Sequence, residues 1–313
     1  MTRAFVFPGQ GSQAVGMGVE LAEAFQPARE VFEEVDEALK QKLSRLMAEG
    51  PAEELTLTVN AQPALMAVSM AVVRTLEQEG GLALGDKASF VAGHSLGEYS
   101  ALAAAGSLTL SDAARLLRQR GEAMQQAVAP GVGAMAAIMN MELELVEQVA
   151  AEAAEGQVCS AANDNAPGQV VISGHSEAVG RALELAKARG ARRAVLLPVS
   201  APFHCALMAP AAEVMEEALG QSDLAPPSLP LVANVTAKPT QTPAEIRRLL
   251  VQQVTGRVRW RESVLAMQEA GVEHLVELGS GKVLSGLARR IHPDLEGQAC
   301  GTPEQLEALI KAL

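Results

Sequence analysis

Aromatic side chains are scarce in this sequence: Phe, Trp and Tyr together make up 3% of its 313 residues. A core so short of large rings must be built from small aliphatic side chains on helices and sheet, a composition that suits an α/β fold. Positive charge is short as well, with 25 Lys and Arg against 37 Asp and Glu and a formal net charge of −12. Nucleic acid and anionic membranes both need a dominant positive field, so neither is an expected partner. Cysteine is sparse: Cys159, Cys205 and Cys300 make no CxxC pair and no metal-ligand spacing. An odd number outside any framework reads as free thiols in a reducing compartment, and the cytoplasm is the expected location. No apolar run reaches the length of a signal core or a membrane span. The apolar fraction of 49% and the charged fraction of 20% leave no case for disorder or a fibrous repeat.

What is present is a rhythm of strands and helices. Residues 4–7 (AFVF) form an apolar run that stops at Pro8; the glycine-rich PGQGSQAVGMG follows, then the amphipathic VELAEAFQPAREVFEEVDEAL, read as one helix. A second unit places SFVAG at 89–93 as strand, a tight turn at His94 and Ser95, and LGEYSALAAAG at 96–106 as helix. NAQPALMAVSMAVVRTLEQEG is helical by period, and SDAARLLRQRGEAMQQAV at 111–128 reads as a helix opened by a Ser/Asp cap. Recurrent strand–helix units imply a parallel sheet covered on both faces. Over residues 129–198 the order becomes β-α-β-β-α-β, that of a split ferredoxin-like unit. PLVANV at 230–235 and VEHLVEL at 272–278 then resume the buried strands. The expected organisation is a large domain of residues 1–128 and 199–313 with an insert at 129–198.

GHSLG at 93–97 matches G-x-S-x-G with a strand before it and a helix after it, the context of a nucleophile elbow. Such a turn lifts the Ser95 hydroxyl above the sheet, and the Leu96 N–H faces a developing oxyanion at the helix start. A serine cap on an ordinary turn is the plainer alternative. A serine nucleophile needs a base, and the sequence offers His94, His175, His204, His274 and His292. His94 lies inside the elbow and is expected to turn away from Ser95, His175 and His292 lie in loops, and His274 lies in a strand. His204 follows the apolar AVLLPV and the turn SAPF, at the carboxyl end of a strand where α/β sites gather; it is favoured over a helix-capping role. Cys205 beside it reads as a packing residue. PGQGSQ at 8–13 lacks both G-x-G-x-x-G and GK[ST], so a dinucleotide site is not expected, although the Gln10 N–H is placed to be a second oxyanion donor. Of Arg115, Arg118 and Arg120 on one helix, any could clamp a carboxylate through two parallel bonds; spacing does not choose.

FVFPGQGSQ, GHSLGEYSAL, QRGEAMQ, GAMAAI, NDNAPGQVVISG, PVSAPFHCALM and VEHLVELGSGKVLSGL together resemble the malonyl-CoA:acyl-carrier-protein transacylases of type II fatty acid synthesis, over nearly the whole chain. The resemblance implies an α/β-hydrolase-like large domain with a central parallel sheet and an inserted ferredoxin-like small domain. It also implies Ser95 as nucleophile, His204 as base, Gln10 and Leu96 as oxyanion donors, Arg120 as the clamp on the malonyl carboxylate, and the Gln253 main-chain carbonyl as the group orienting His204. Asn163, Asn165, Phe203 and His94 are expected around the substrate, and Phe203 resembles the residue before the histidine in malonyl-selective synthase domains. The segment after Gln253 reads VTGRVRW where the family commonly has a tyrosine-asparagine-proline stretch. The implied chemistry needs malonyl-CoA, an acyl carrier protein that brings its own phosphopantetheine, no permanently bound cofactor and no metal; a monomer is expected.

Three rival readings share these residues: a serine hydrolase on the same elbow, a non-catalytic scaffold that docks a carrier, and an acyltransferase loading a polyketide synthase. Because an acidic carrier would meet an acidic chain, docking calls for a local basic patch. The candidates are Lys187, Arg189, Arg192 and Arg193; Arg257, Arg259 and Arg261; and Lys282, Arg289 and Arg290.

Overall fold

Among residues 2–313, which the computed structural model describes, ten strands divide between two sheets. They are β1 (Arg3–Phe7), β2 (Phe90–Gly93), β3 (Gly133–Met139), β4 (Cys159–Ala166), β5 (Gln169–His175), β6 (Arg193–Leu196), β7 (Leu231–Ala233), β8 (Lys238–Thr240), β9 (His274–Leu278) and β10 (Glu296–Cys300). The larger sheet has the order β10-β9-β1-β2-β7-β8. All its pairings are parallel except β7 with β8. The smaller sheet, β4-β5-β3-β6, is antiparallel throughout and carries the helices Leu143–Ala154 and Ser176–Ala188. This is a mixed α/β architecture with a parallel-rich central sheet.

The apolar runs explain the central strands. Ala4, Phe5, Val6 and Phe7 are all buried, as strands covered on both faces require, and helices pack on either side. The helix Thr58–Gly80 buries most of its surface, although its sequence carries Asn60 and Gln62 near its start. Two polar residues at the mouth of an apolar helix matter below.

Several sequence expectations need correction. The stretch after the glycine-rich loop is two helices, Val19–Ala24 and Gln26–Leu39, broken at an extended Phe25. Pro27 causes the break, since it has no N–H to donate and its ring opens a helix but cannot continue one. The helix Leu110–Gln126 is capped by Thr109, whose Oγ1 accepts the Asp112 N–H at 3.1 Å, rather than by Ser111 or Asp112. Strands β8 and β10 were not legible: KPT holds a proline tolerated because β8 is an edge strand, and EGQAC has no apolar alternation.

The two sheets meet where VTGRVRW crosses β4. Val258 donates to the Ala162 carbonyl and accepts from the Asp164 N–H, both at 2.9 Å. The register of β4 shifts at Ala161/Asn163 and at Asp164/Ala166, so the segment bearing Asn163 and Asn165 is bulged beside this junction.

Candidate active site

The loops leaving β1, β2 and β7 gather at the carboxyl ends of three adjacent parallel strands. Between β2 and the helix Gly97–Ala104 the chain turns so tightly that a Cβ on Gly97 would stand 2.3 Å from the Phe7 carbonyl oxygen. Ser95 occupies the turn with φ 54°, and His204 has φ 58°. Left-handed backbone on a residue with a side chain is strained, and here both residues bring their side chains to one point.

Ser95 Oγ is 2.7 Å from His204 Nε2. His204 Nδ1 is 2.9 Å from the Gln253 carbonyl, which can only accept, so Nδ1 carries the proton and Nε2 is free to take one. His204 is buried; burial first, then the Arg120 charge, pushes its pKa down to about 3, with the Gln253 carbonyl pulling the other way. No carboxylate stands behind the ring in these hydrogen bonds; the orienting group is main chain.

Of the three candidate arginines, the structure brings only Arg120 to the site. Arg115 pairs with Asp112 on the surface, and Arg118 bonds to Asn60 and Gln41. Arg120 is 2% exposed, with Nη2 3.2 Å from Ser95 Oγ and 2.7 Å from Gln253 Oε1, and Nη1 2.6 Å from Gln62 Oε1. Its carbon Cζ lies 5.7 Å from the Tyr99 ring centre. Among the described residues no carboxylate is within ion-pair distance of it, and its Nε–H has no acceptor. Its hydrogen-bond partners are all neutral, with the buried Glu98 carboxyl acting on it only through space, and a buried cation so supplied is costly to keep.

Ser95, His204 and Arg120 line a cavity of about 530 Å³ with Gln10, Leu96, His94, Asn163, Asn165 and Phe203. Neither the Gln10 N–H nor the Leu96 N–H donates to a protein acceptor among the described residues. The Gln10 side chain accepts from Thr58 Oγ1 at 3.1 Å, and Thr58 accepts from Gln62 at 2.8 Å, so the first loop is tied to the same side chain that holds Arg120. The half-buried His94 ring lies against Trp260, with Nε2 2.8 Å from Asn165 Oδ1, and loss of solvent lowers its pKa. Cys205 is buried and its Sγ donates to the Pro202 carbonyl. The other three histidines lie elsewhere: His175 accepts the Val158 N–H, His274 stands by Glu296, and His292 by Asp294. A second cavity of about 460 Å³, bounded by Met17, Phe32 and Met47, lies apart from Ser95.

Four functional neighbours escaped sequence reasoning: Gln62, Glu98, Asn234 and the side chain of Gln253. Their signal was faint, a polar residue within an otherwise apolar helix or strand end. Glu98 is 1% exposed, and burial pushes its carboxyl up to about 7 against Gln253, the Asn234 N–H and Arg120. Most of the basic clusters are already neutralised: Arg257 pairs with Glu147, Arg259 with Glu262, Arg261 with Asp164, Lys187 with Glu184, Arg189 with Glu152 and Arg289 with Glu296.

The acyl transferase domain family matches residues 4–288. A malonyl CoA-acyl carrier protein transacylase of Bacillus subtilis strain 168 is 47% identical, covering 99% of this chain and 96% of its own. An acyl-carrier-protein-S-malonyltransferase from Bartonella henselae superposes with a TM-score of 0.97 at 58% identity, covering 100% of this chain and 99% of that one. A malonyl-transacylase solved in complex with its type II PKS acyl-carrier protein gives a TM-score of 0.96 at 44% identity, with 100% of both chains covered. The chain belongs to the acyl transferase domain family and, within it, to the malonyl CoA-acyl carrier protein transacylases.

Proposed function

We propose that this enzyme moves a malonyl group from malonyl-CoA to the phosphopantetheine thiol of an acyl carrier protein, through an ester on Ser95. One observation carries the reading: a buried guanidinium without a carboxylate partner stands 3.2 Å from a serine hydroxyl that is itself 2.7 Å from a neutral imidazole. A malonyl thioester supplies the missing carboxylate and the carbonyl for attack, and the spare Nε–H of Arg120 is a donor such a carboxylate would satisfy.

In the first half-reaction Ser95 Oγ gives its proton to His204 Nε2 and attacks the thioester carbon. The oxyanion is held by the Gln10 and Leu96 N–H groups, and the coenzyme A thiolate departs with the proton from His204. In the second, the carrier's thiol gives its proton to His204 and attacks the ester, which collapses to return the proton to Ser95. Asn163, Asn165, Phe203 and His94 shape the space around the acyl chain. Phe203 and Arg120 together favour malonyl over bulkier or uncharged chains. The thiol arm arrives on each substrate, so the route uses no permanently bound cofactor. Every group named comes from one chain, so a monomer suffices.

The two sheets correspond, on this reading, to an α/β-hydrolase-like catalytic domain of residues 1–128 and 199–313 and a ferredoxin-like insert of residues 129–198. The strand order β4-β5-β3-β6 with two helices supports the second part. Three unpaired cysteines, and the lack among the described residues of any helix long and apolar enough to cross a membrane, agree with a cytoplasmic site of action. The family role is in fatty acid synthesis; because one relative was solved with a polyketide carrier, both kinds of carrier belong in the assay.

The test is intact mass after brief exposure to malonyl-CoA without carrier. A malonyl adduct should persist, map to the peptide containing Ser95 and be absent from Ser95→Ala. Rapid release to free malonate would make the protein a hydrolase, and an adduct on Cys205 would overturn the assignment of the nucleophile.

A further inference from the structure

The turn that carries Ser95 is gripped from below by side chains that do not line the cavity. Asn234, one residue past β7, is fully buried; its Oδ1 accepts the Ser95 N–H at 2.8 Å and its Nδ2 donates to the Gly93 carbonyl at 2.7 Å. Gln253 Nε2 donates to the Ser95 carbonyl at 2.9 Å. Both of these supports converge on one carboxylate. Glu98 Oε1 accepts the Asn234 N–H at 3.3 Å, and Glu98 Oε2 accepts from Gln253 Nε2. Gln253 in turn presents Oε1 to Arg120 Nη2 and its main-chain carbonyl to His204.

We propose that Glu98 is a positioning residue for acyl-chain selectivity, which acts through the Gln253 side chain to fix where the Arg120 guanidinium stands relative to Ser95. The inference rests on reading Arg120 as the partner of the substrate carboxylate. The geometry is specific about residue type. A terminal amide has two ends, and Gln253 can point its oxygen at Arg120 only while its nitrogen is engaged on the opposite side. Glu98 shares that engagement with the Ser95 carbonyl, and in its ionised form it accepts on both oxygens, because a fixed backbone N–H holds the other one. Glutamine at this position has the same shape but a single acceptor, so one of its two neighbours would face an N–H group head to head. The main-chain N–H of Asn234 cannot move aside, whereas the Gln253 amide can turn. Its turning removes the closer acceptor from Nη2, leaves Gln62 and the longer contact to Ser95 Oγ as the side-chain acceptors on the guanidinium, and lets it swing. A substrate with a terminal carboxylate depends on that aim; acetyl-CoA does not.

The experiment compares kcat/KM for malonyl-CoA and acetyl-CoA in Glu98→Gln, Arg120→Ala and the double variant. Loss of one buried acceptor predicts about a tenfold fall for malonyl-CoA in Glu98→Gln, with acetyl-CoA within about twofold of the unaltered protein. In the double variant the ratio should equal that of Arg120→Ala alone, since Glu98 has no other route to selectivity. Asn234→Ala, which removes two short bonds to the turn and only a 3.4 Å contact to Gln253, should reduce both substrates about equally. An unchanged malonyl-to-acetyl ratio in Glu98→Gln, with Arg120→Ala shifting it, would overturn the inference and leave the role of Arg120 intact. A ratio unmoved by Arg120→Ala would remove both. If Glu98→Gln fails to fold, Glu98→Asp, which keeps two oxygens but withdraws them by one methylene, makes the same comparison.

Discussion

Burial and the neighbouring Arg120 charge keep the His204 imidazole neutral through the range in which a free histidine titrates. Its folded pKa is depressed, so its contribution to stability is present above the ordinary value of 6.5 and is lost as pH falls from there toward about 3. For activity, kcat/KM with malonyl-CoA should show no acid limb centred near 6.5 that belongs to the base. In Arg120→Ala, assayed with acetyl-CoA, one of the charges lowering His204 is gone, so the acid limb should move to higher pH. A pH profile from about 4 to 8 decides it, and an unmoved limb would mean the base does not feel that charge. Residues of this site differ in how openly the sequence marks them. Ser95 is announced by two glycines at fixed spacing, which the tight turn demands. His204 had to be chosen among five histidines, and Arg120 among three arginines on one helix, because selection depends on which side chain the fold buries. Glu98 and Asn234 gave only a faint signal, since their meaning lies in a hydrogen bond between positions 136 residues apart.

The elbow between β2 and the helix Gly97–Ala104 is the element on which all else is hung. A methyl group on Gly93 would lie 1.9 Å from the Gly97 carbonyl carbon, and one on Gly97 would meet the main chain of β1. Gly97→Ala should therefore force backbone shifts costing at least about 1–3 kcal/mol and lower the melting temperature and the activity together. Gly286, in the helix Val283–Ile291, has open space where a methyl group would stand, with nothing within 4 Å, and Gly286→Ala should raise stability by roughly 0.5–1 kcal/mol. Thermal unfolding of the two variants separates a glycine needed for close approach from one that is merely tolerated. The central strands were readable from apolar runs bounded by glycine and proline. The edge strands β8 and β10 were not, because an edge need not be apolar, and the helix break at Pro27 was hidden by an amphipathic period that continues on both sides of it.

At the scale of the whole molecule, pairing with carboxylates removes six of the ten candidate docking cations and leaves Arg192, Arg193, Lys282 and Arg290 exposed to greet an acidic carrier. Arg290 is exposed, has no carboxylate partner among the described residues and donates to Gln169, a residue that lines the cavity over Ser95. Arg290→Glu should raise the carrier's apparent KM and flatten its salt dependence while leaving the malonyl-CoA half-reaction unchanged. Equal loss in both half-reactions would indicate damage to the fold. The separate antiparallel sheet was legible because the order of strands and helices changes near residue 129, whereas the Val258 crossing that joins the sheets was not, since the stretch has no periodicity. On the proposed route one cavity, walled by both sheets, serves donor and acceptor alike, and this has a further consequence. The departing and arriving arms use it in turn, and each turnover exchanges one thioester for another of similar energy. The protein therefore imposes no direction on the traffic: at a fixed amount of enzyme, malonyl groups flow toward whichever malonyl thioester, that of coenzyme A or that of the carrier, the rest of the cell keeps drained.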